Sequence, residues 1–149
     1  MKVIKTNLNG PLIIEPDVFG DHRGFFMETH SRRRYAEVGI CCDFVQDNIS
    51  YSGKNTLRGL HYQLKQPQAK LVQVLQGEVY DVAVDIRLGS PHFGQWVGDV
   101  LSGQNKKQIY IPEGFAHGFC VLSDHALFHY KCGDYYTPDD EYGLLWNNA

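Results

Sequence analysis

Four residues of this 149-residue chain have side chains that could do chemistry together: two imidazoles, an amide and an ammonium. His61 stands two positions before Gln63, Lys70 stands seven positions before Gly77, and His117 ends the hexapeptide PEGFAH. Lysine carries protons rather than lone pairs and glutamine is a weak neutral ligand, so this set is a poor metal site. An imidazole titrates near neutral pH, and a fixed ammonium stabilises negative charge on oxygen. The set therefore favours proton transfer next to an anion.

The same positions resemble the paired motifs of the cupin superfamily. In those motifs the metal ligands are the two histidines of HxH, a glutamate that is followed by six residues and then a glycine, and the histidine of PxGxxH. Here Gln63 replaces the second histidine and Lys70 replaces the glutamate, so only His61 and His117 remain. The resemblance implies a cupin-like barrel, while the replacements predict no metal and disfavour a metal-dependent oxygenase.

The elements that must position these residues are mainly short strands. Short segments rich in β-branched and aromatic residues alternate with turn-forming residues, and helical periodicity is scarce. The fold class predicted is all-β, a double-sheet jelly-roll (cupin-like) barrel with one or two short helices. One helix should follow Ser31 as N-cap and end at Gly39. Strands are expected at Leu12 to Glu15, Phe25 to Thr29, Phe44 to Tyr51, Leu57 to Gln63, Gln95 to Leu101, Lys107 to Ile111, His117 to Val121 and Ala126 to Lys131.

The stretch from Lys70 to Arg87 predicts a hairpin with a tight turn at Gly77-Glu78. In its second arm, alternation places apolar side chains on one face of the strand. The other face carries two carboxylates, Asp81 and Asp85. That second face is expected to line a polar cavity.

Composition bounds the class of protein. Residues 1–149 are expected to form a single domain, since this length closes one core and neither repeats nor linkers interrupt it. The net charge of −3 argues against nucleic-acid binding, and no apolar run is long enough to span a membrane. The first residues, MKVIKT, lack the apolar stretch of a signal peptide, so a cytoplasmic protein is expected. Four cysteines without CxxC spacing indicate free thiols, which is typical of a reducing compartment.

Four longer strings carry a closer resemblance: GDHRGFF at 20–26, FVQDN at 44–48, LRGLHYQ at 57–63 and IPEGFAHGF at 111–119. Their order and spread over essentially the whole chain are similar to the dTDP-4-dehydrorhamnose 3,5-epimerase family. The resemblance implies cofactor-free epimerisation at C3 and C5 of a dTDP-4-keto-6-deoxyglucose. It also implies His61 as the base, Lys70 as the group that stabilises the enolate oxygen, and Tyr130 as the proton donor on the opposite face.

The resemblance extends to binding positions. Arg23, Arg58 and His117 match contacts to the diphosphate and sugar, and Tyr136 matches an aromatic ring that stacks on thymine. The remaining matched substrate-binding positions are Phe26, Glu28, Gln46, Asn48 and Glu141. In the family, the segment that carries Arg23 and Glu28 reaches into a partner subunit, which implies a homodimer. The expected partners are thus a dTDP-sugar and a second copy of the chain.

One geometric conflict follows from the strand at Leu57 to Gln63. Strict alternation places Arg58 and His61 on opposite faces, whereas the resemblance requires both near the ligand. A bulge at Gly59 would reconcile them.

The end of the chain differs from the family. Its members continue past YGLLW into a tail whose aspartate pairs with the catalytic histidine, whereas this chain ends at Ala149. Three explanations stay open: the sequence is truncated, a naturally short variant uses another acid, or a binding protein has lost catalysis. In the second case the candidate acids are Asp81, which is preferred, and Asp85, although either could instead pair with a nearby cation. Alternatives left open are a related 3-epimerase, a 3,4-ketoisomerase and a catalytically impaired nucleotide-sugar-binding cupin.

Overall fold

The computed structural model describes residues 1–147, which fold into two packed antiparallel sheets and a separate two-stranded arm. The elements are β1 (Lys2–Lys5), β2 (Leu12–Glu15), β3 (Val18–Asp21), β4 (Gly24–Met27), α1 (Arg32–Glu37), β5 (Gln46–Gly53), β6 (Leu57–Gln63), β7 (Lys70–Gln76), β8 (Glu78–Asp85), β9 (Trp96–Ser102), β10 (Gln108–Ile111), β11 (Phe115–Val121), β12 (His125–Cys132), a 3₁₀ turn (Pro138–Asp140) and β13 (Glu141–Gly143). No helix among them is long and apolar enough to cross a membrane.

Six strands form one sheet in the order β1-β2-β10-β7-β12-β5, and five form the other in the order β13-β6-β11-β8-β9. Aliphatic and aromatic side chains from both sheets make the main core, including Val72, Phe128, Val79 and Phe119. The predicted all-β, double-sheet jelly roll with one or two short helices is confirmed. The eight strands predicted outside the hairpin lie within two residues of their expected bounds.

The predicted hairpin at Gly77-Glu78 is wrong. β7 pairs with β10 and β12, whereas β8 pairs with β11 and β9, so the two arms belong to different sheets. Gly77 has a φ of 82°, and a Cβ there would collide with the carbonyl oxygen of His125. The glycine therefore forms a corner between the sheets. Strand alternation is a local property and does not specify which strand is the neighbour.

The alternation predicted for β8 is confirmed. Val79, Asp81, Ala83 and Asp85 each have 0% exposure and face the interior, whereas Tyr80, Val82 and Val84 are partly exposed on the outer face. Two carboxylates are therefore buried inside the barrel, where each needs a partner.

The bulge expected at Gly59 is also confirmed. His117 pairs with His61 and Phe119 pairs with Arg58, so three steps along β6 oppose two steps along β11. Gly59 has a φ of 116°, and a Cβ there would lie 2.5 Å from Cα of Gly118. Only glycine tolerates both constraints. The extra residue turns Arg58 and His61 toward the same side of the sheet.

The helix α1 begins after Ser31 and ends before Val38, close to its predicted bounds. Tyr35 from α1 is buried against the outer face of the six-stranded sheet, in a second cluster with Ile14 and Ile40. Three short strands, β1, β3 and β13, were not expected. Each has only three or four residues, too few for alternation to be recognised.

Candidate active site

A cavity of about 410 Å³ opens between the sheets and brings together the three residues expected to be catalytic, His61, Lys70 and Tyr130. Arg58 and His117 also line it. These five side chains come from β6, β7, β11 and β12, so both sheets contribute. The remaining lining residues are Ser50, Leu57, Gly59, Phe119 and Phe128. The volume lies in the range of roughly 300–1,000 Å³ common for ligand pockets.

Lys70 supplies the ammonium of the cavity. Its Nζ lies 5.7 Å from the ring centroid of Tyr130. Burial lowers the pKa of Lys70 because the charged form loses hydration, and the negative charges of Asp81 and Glu141 oppose this shift. A lysine with a lowered pKa is a stronger acid than a free lysine and donates a stronger hydrogen bond to a developing oxyanion.

Tyr130 lies on β12 directly opposite Asn48 of β5. Burial raises the pKa of Tyr130, with a further rise from the neighbouring Cys132, and the Asn48 amide partly opposes it. The phenol therefore retains its proton at neutral pH, as a proton donor requires.

His61 meets a carboxylate that was not expected in this role. Its Nδ1 lies 3.3 Å from Oε1 of Glu141 on β13. Neither expected substitute is available for His61. Asp81 contacts His117 at 2.8 Å, and Asp85 binds Arg87 at 2.7 Å and the hydroxyl of Ser90 at 2.7 Å. The preference for Asp81 as the partner of His61 is therefore wrong, because Asp81 pairs with His117 and Asp85 pairs with Arg87.

His117 forms part of the floor of the cavity, and the fully buried Asp81 contacts its ring. Its Nε2 is 2.8 Å and 3.0 Å from the two carboxylate oxygens, and both side chains are buried. Burial raises the pKa of Asp81, while His117 and Lys70 oppose the rise. The contact directs Nε2 of His117 toward the carboxylate. It thereby fixes the orientation of the imidazole ring in the cavity wall.

A polar rim joins the cavity to the surface. The Nε of Arg58 donates to Oγ of Ser52 at 2.9 Å. The amide of Gln46 links two further expected binding residues: its Oε1 accepts from the backbone N–H of Tyr136 at 3.0 Å, and its Nε2 donates to Oδ1 of Asn48 at 3.0 Å. Tyr136 is half exposed, so its ring remains accessible to a ligand.

Three expected binding residues do not reach this cavity within the chain. Arg23 and Phe26 lie on the β3–β4 arm, where their side chains are 78% and 70% exposed. Arg23 binds Asp21 of its own arm, and Glu28 lies 3.4 Å from Arg34 of α1.

Gln63, which replaces a cupin ligand, stabilises the local loops instead. Its Nε2 donates to the carbonyl of Gln66 at 2.6 Å, and its Oε1 accepts from the backbone N–H of Thr137 at 2.9 Å. Among residues 1–147, no group of three or more His, Cys, Asp or Glu side chains is arranged to hold a metal ion.

Sequence reasoning missed the contact of Glu141 with His61 and the proximity of Cys132 to Lys70. Only the register of two strand pairs reveals them: Gly143 pairs with His61, and Cys132 pairs with Lys70. β13 has three residues, too few to be recognised from the sequence.

The fold and cavity define a cupin-type barrel whose central side chains suit acid–base chemistry. Comparison with known sequences makes this more specific. The profile of the dTDP-4-dehydrorhamnose 3,5-epimerase family matches residues 5–149. The chain belongs to this family of isomerases.

Individual relatives agree over nearly the full chain. It is 58% identical to the dTDP-4-dehydrorhamnose 3,5-epimerase of Shigella flexneri, over 99% of this chain and 83% of that protein. A crystal structure of dTDP-6-deoxy-D-glucose-3,5-epimerase from Legionella pneumophila in complex with dTDP-4-keto-L-rhamnose is 59% identical, with a TM-score of 0.96 over 98% of this chain and 78% of that one. A 3'-monoepimerase from Streptomyces bikiniensis in complex with dTDP-quinovose is 31% identical, with a TM-score of 0.87 over 93% and 71% of the two chains.

Proposed function

We propose that this protein inverts C3 and C5 of dTDP-4-dehydro-6-deoxy-D-glucose to give dTDP-4-dehydro-L-rhamnose, in the biosynthesis of dTDP-L-rhamnose and without a cofactor. The observation that carries the proposal is the meeting of His61, Lys70 and Tyr130 at one cavity, in a chain of this family. Their types match the three tasks of the reaction: a base, an oxyanion stabiliser and an acid.

The reaction needs no redox step, because the protons at C3 and C5 flank the C4 ketone. His61 removes one proton, and the electron pair of the broken C–H bond moves to form an enolate with its charge on the C4 oxygen. The Lys70 ammonium donates a hydrogen bond to that oxygen. Tyr130 then delivers a proton to the carbon from the opposite face, which inverts the centre. Solvent restores the proton of Tyr130 and removes the proton of His61 before the second centre reacts.

Binding residues surround this chemistry. Arg58 suits the diphosphate, since a guanidinium forms strong charge-assisted bonds to phosphate oxygens, and His117 suits the sugar. Tyr136 offers a ring face for thymine, with Gln46, Asn48 and Glu141 around the nucleotide. The sequence match supports these roles, and the common cavity and rim that these residues line are consistent with them.

The active form proposed is a homodimer in which the arm of one copy completes the site of the other. The arm carries three phenylalanines, Phe19, Phe25 and Phe26, each at least 62% exposed. Exposed apolar side chains of this size favour burial against a partner. Within the described residues 1–147, β5 is an edge strand of the six-stranded sheet and pairs only with β12, so its other edge can bind another chain. A cytoplasmic location is proposed because the four cysteines are free thiols.

The deciding experiment is solvent deuterium incorporation into dTDP-4-keto-6-deoxyglucose, followed by NMR at C3 and C5 separately. Exchange and inversion at both carbons are expected. Exchange at C3 alone would favour the second candidate, a 3-epimerase, which the similarity to the Streptomyces bikiniensis protein keeps open. No exchange at either carbon would contradict an epimerase function and favour a nucleotide-sugar-binding protein.

A further inference from the structure

The carboxylate of Glu141 contacts two different rings with its two oxygens. Oε1 lies 3.3 Å from Nδ1 of His61, and Oε2 accepts a hydrogen bond of 2.8 Å from the hydroxyl of Tyr136. One side chain thus joins the expected base of the reaction to the ring expected to hold the nucleotide.

The backbone holds Glu141 in this place. β13 pairs with β6 so that Glu141 is opposite Gln63 and Gly143 is opposite His61, which makes Glu141 and His61 diagonal neighbours on one face. The preceding residue, Asp140, is buried, and its carboxylate accepts the backbone N–H groups of Lys65 and Gln66 at 2.9 Å and 2.8 Å. The start of β13 is therefore anchored to the loop after β6.

The two contacts have a consequence for the tautomer of His61. A carboxylate beside Nδ1 favours the form in which Nδ1 carries the proton, and this leaves the lone pair on Nε2. The contact of His61 with Glu141 uses Nδ1. Nε2 is thus the nitrogen left to accept a proton from a substrate.

We propose that Glu141 is the positioning residue for His61, and that the Tyr136 hydroxyl in turn positions Glu141. The proposal rests on the proposed function, because it assumes that His61 is the base. It adds a role for Glu141 beyond ligand binding and a role for the Tyr136 hydroxyl that is separate from stacking. The site that holds the nucleotide is thereby coupled to the orientation of the base.

Tyr136 allows the two roles of its side chain to be separated. Tyr136→Phe keeps the ring for stacking and removes only the hydroxyl that binds Glu141. The affinity for dTDP should stay within about twofold of the wild type, since base stacking does not use the hydroxyl. The kcat should fall, because Glu141 then loses one of its two anchors.

Glu141→Gln tests the carboxylate itself. An amide of the same shape does not attract the Nδ1 proton as a carboxylate does, so ¹⁵N NMR of His61 should show a larger fraction of the Nε2-protonated tautomer. The kcat should fall on the order of 10- to 100-fold, a modest effect because the pair is partly exposed and water replaces part of the interaction. The KM should change far less than kcat.

The matched controls are Asp139→Asn and Tyr135→Phe, which remove a neighbouring exposed carboxylate and a neighbouring exposed hydroxyl. Both should leave the His61 tautomer and kcat unchanged. A Glu141→Gln protein with a raised KM but wild-type kcat and tautomer ratio would overturn the proposal and leave Glu141 as a substrate ligand only. Absence of deuterium exchange in the wild type would instead refute the proposed function, so the two failures are distinguishable.

Discussion

His117 and Asp81 face each other across adjacent strands β11 and β8, with Nε2 2.8 Å from the nearer carboxylate oxygen and almost no exposure of either side chain. A buried carboxylate without a partner is costly, so this contact stabilises both the barrel interior and the floor of the cavity.

Asp81→Asn should therefore destabilise the protein. The amide oxygen can still accept a hydrogen bond from the His117 N–H, but the amide N–H₂ group is left buried without an acceptor. We expect a loss of about 1–3 kcal/mol in the free energy of unfolding, measured by urea denaturation. Asp124→Asn, at an exposed carboxylate, is the control and should stay within about 0.5 kcal/mol of the wild type. Equal stability of the two variants would mean that the buried contact contributes nothing.

His61 and Tyr130 should separate proton exchange from inversion. A base on one face removes a proton and returns another from solvent without inverting the carbon, whereas inversion requires a donor on the opposite face. His61→Ala should abolish deuterium incorporation at C3 and C5, while Tyr130→Phe should retain some exchange without net inversion. NMR of the sugar protons measures both quantities. Wild-type exchange in His61→Ala would place the base elsewhere.

Lys70 should determine the alkaline limit of activity. Burial lowers the pKa of Lys70 from its ordinary 10.5 and raises that of Tyr130, so the lysine loses its proton at a lower pH than a free lysine while the phenol keeps its proton to a higher pH than a free tyrosine. As pH rises, the activity that depends on the ammonium should therefore begin to decrease before pH 10.5 is reached. Lys70→Arg keeps its charge throughout this range and should move the alkaline limb of kcat to higher pH, although the changed geometry lowers kcat itself. An unmoved alkaline limb, in protein shown to be folded by circular dichroism, would assign that limb to another group.

Mixed dimers should reveal whether the arm crosses between subunits. Arg23→Ala and His61→Ala proteins should each have little activity alone. After co-refolding in equal amounts, about a quarter of the sites should combine an intact arm from one copy with an intact cavity from the other, and activity should return to about that fraction. Recovery of no activity would mean that each arm serves its own chain or that no dimer forms.

Local sequence was sufficient to predict much of the fold. Alternation along β8 predicted that Asp81 and Asp85 face the interior. Alternation along β6 conflicted with the family resemblance, and Gly59 marked the position where a bulge could turn Arg58 and His61 to the same side. The facing of the β8 residues depends on neighbouring positions alone, so period and residue type are enough to specify it, whereas the bulge also needed the family resemblance.

The partners of those residues depend on strand pairing between distant segments, which residue type and period do not encode. The sequence placed β7 and β8 in one hairpin, and only the tertiary structure separates them into two sheets at Gly77. Likewise, the family resemblance implied a carboxylate partner for His61, and alternation along β8 favoured Asp81 for that role. The structure gives Asp81 to His117 and brings Glu141, from a three-residue strand 80 positions further along the chain, to His61, because the register of β13 on β6 sets that distance.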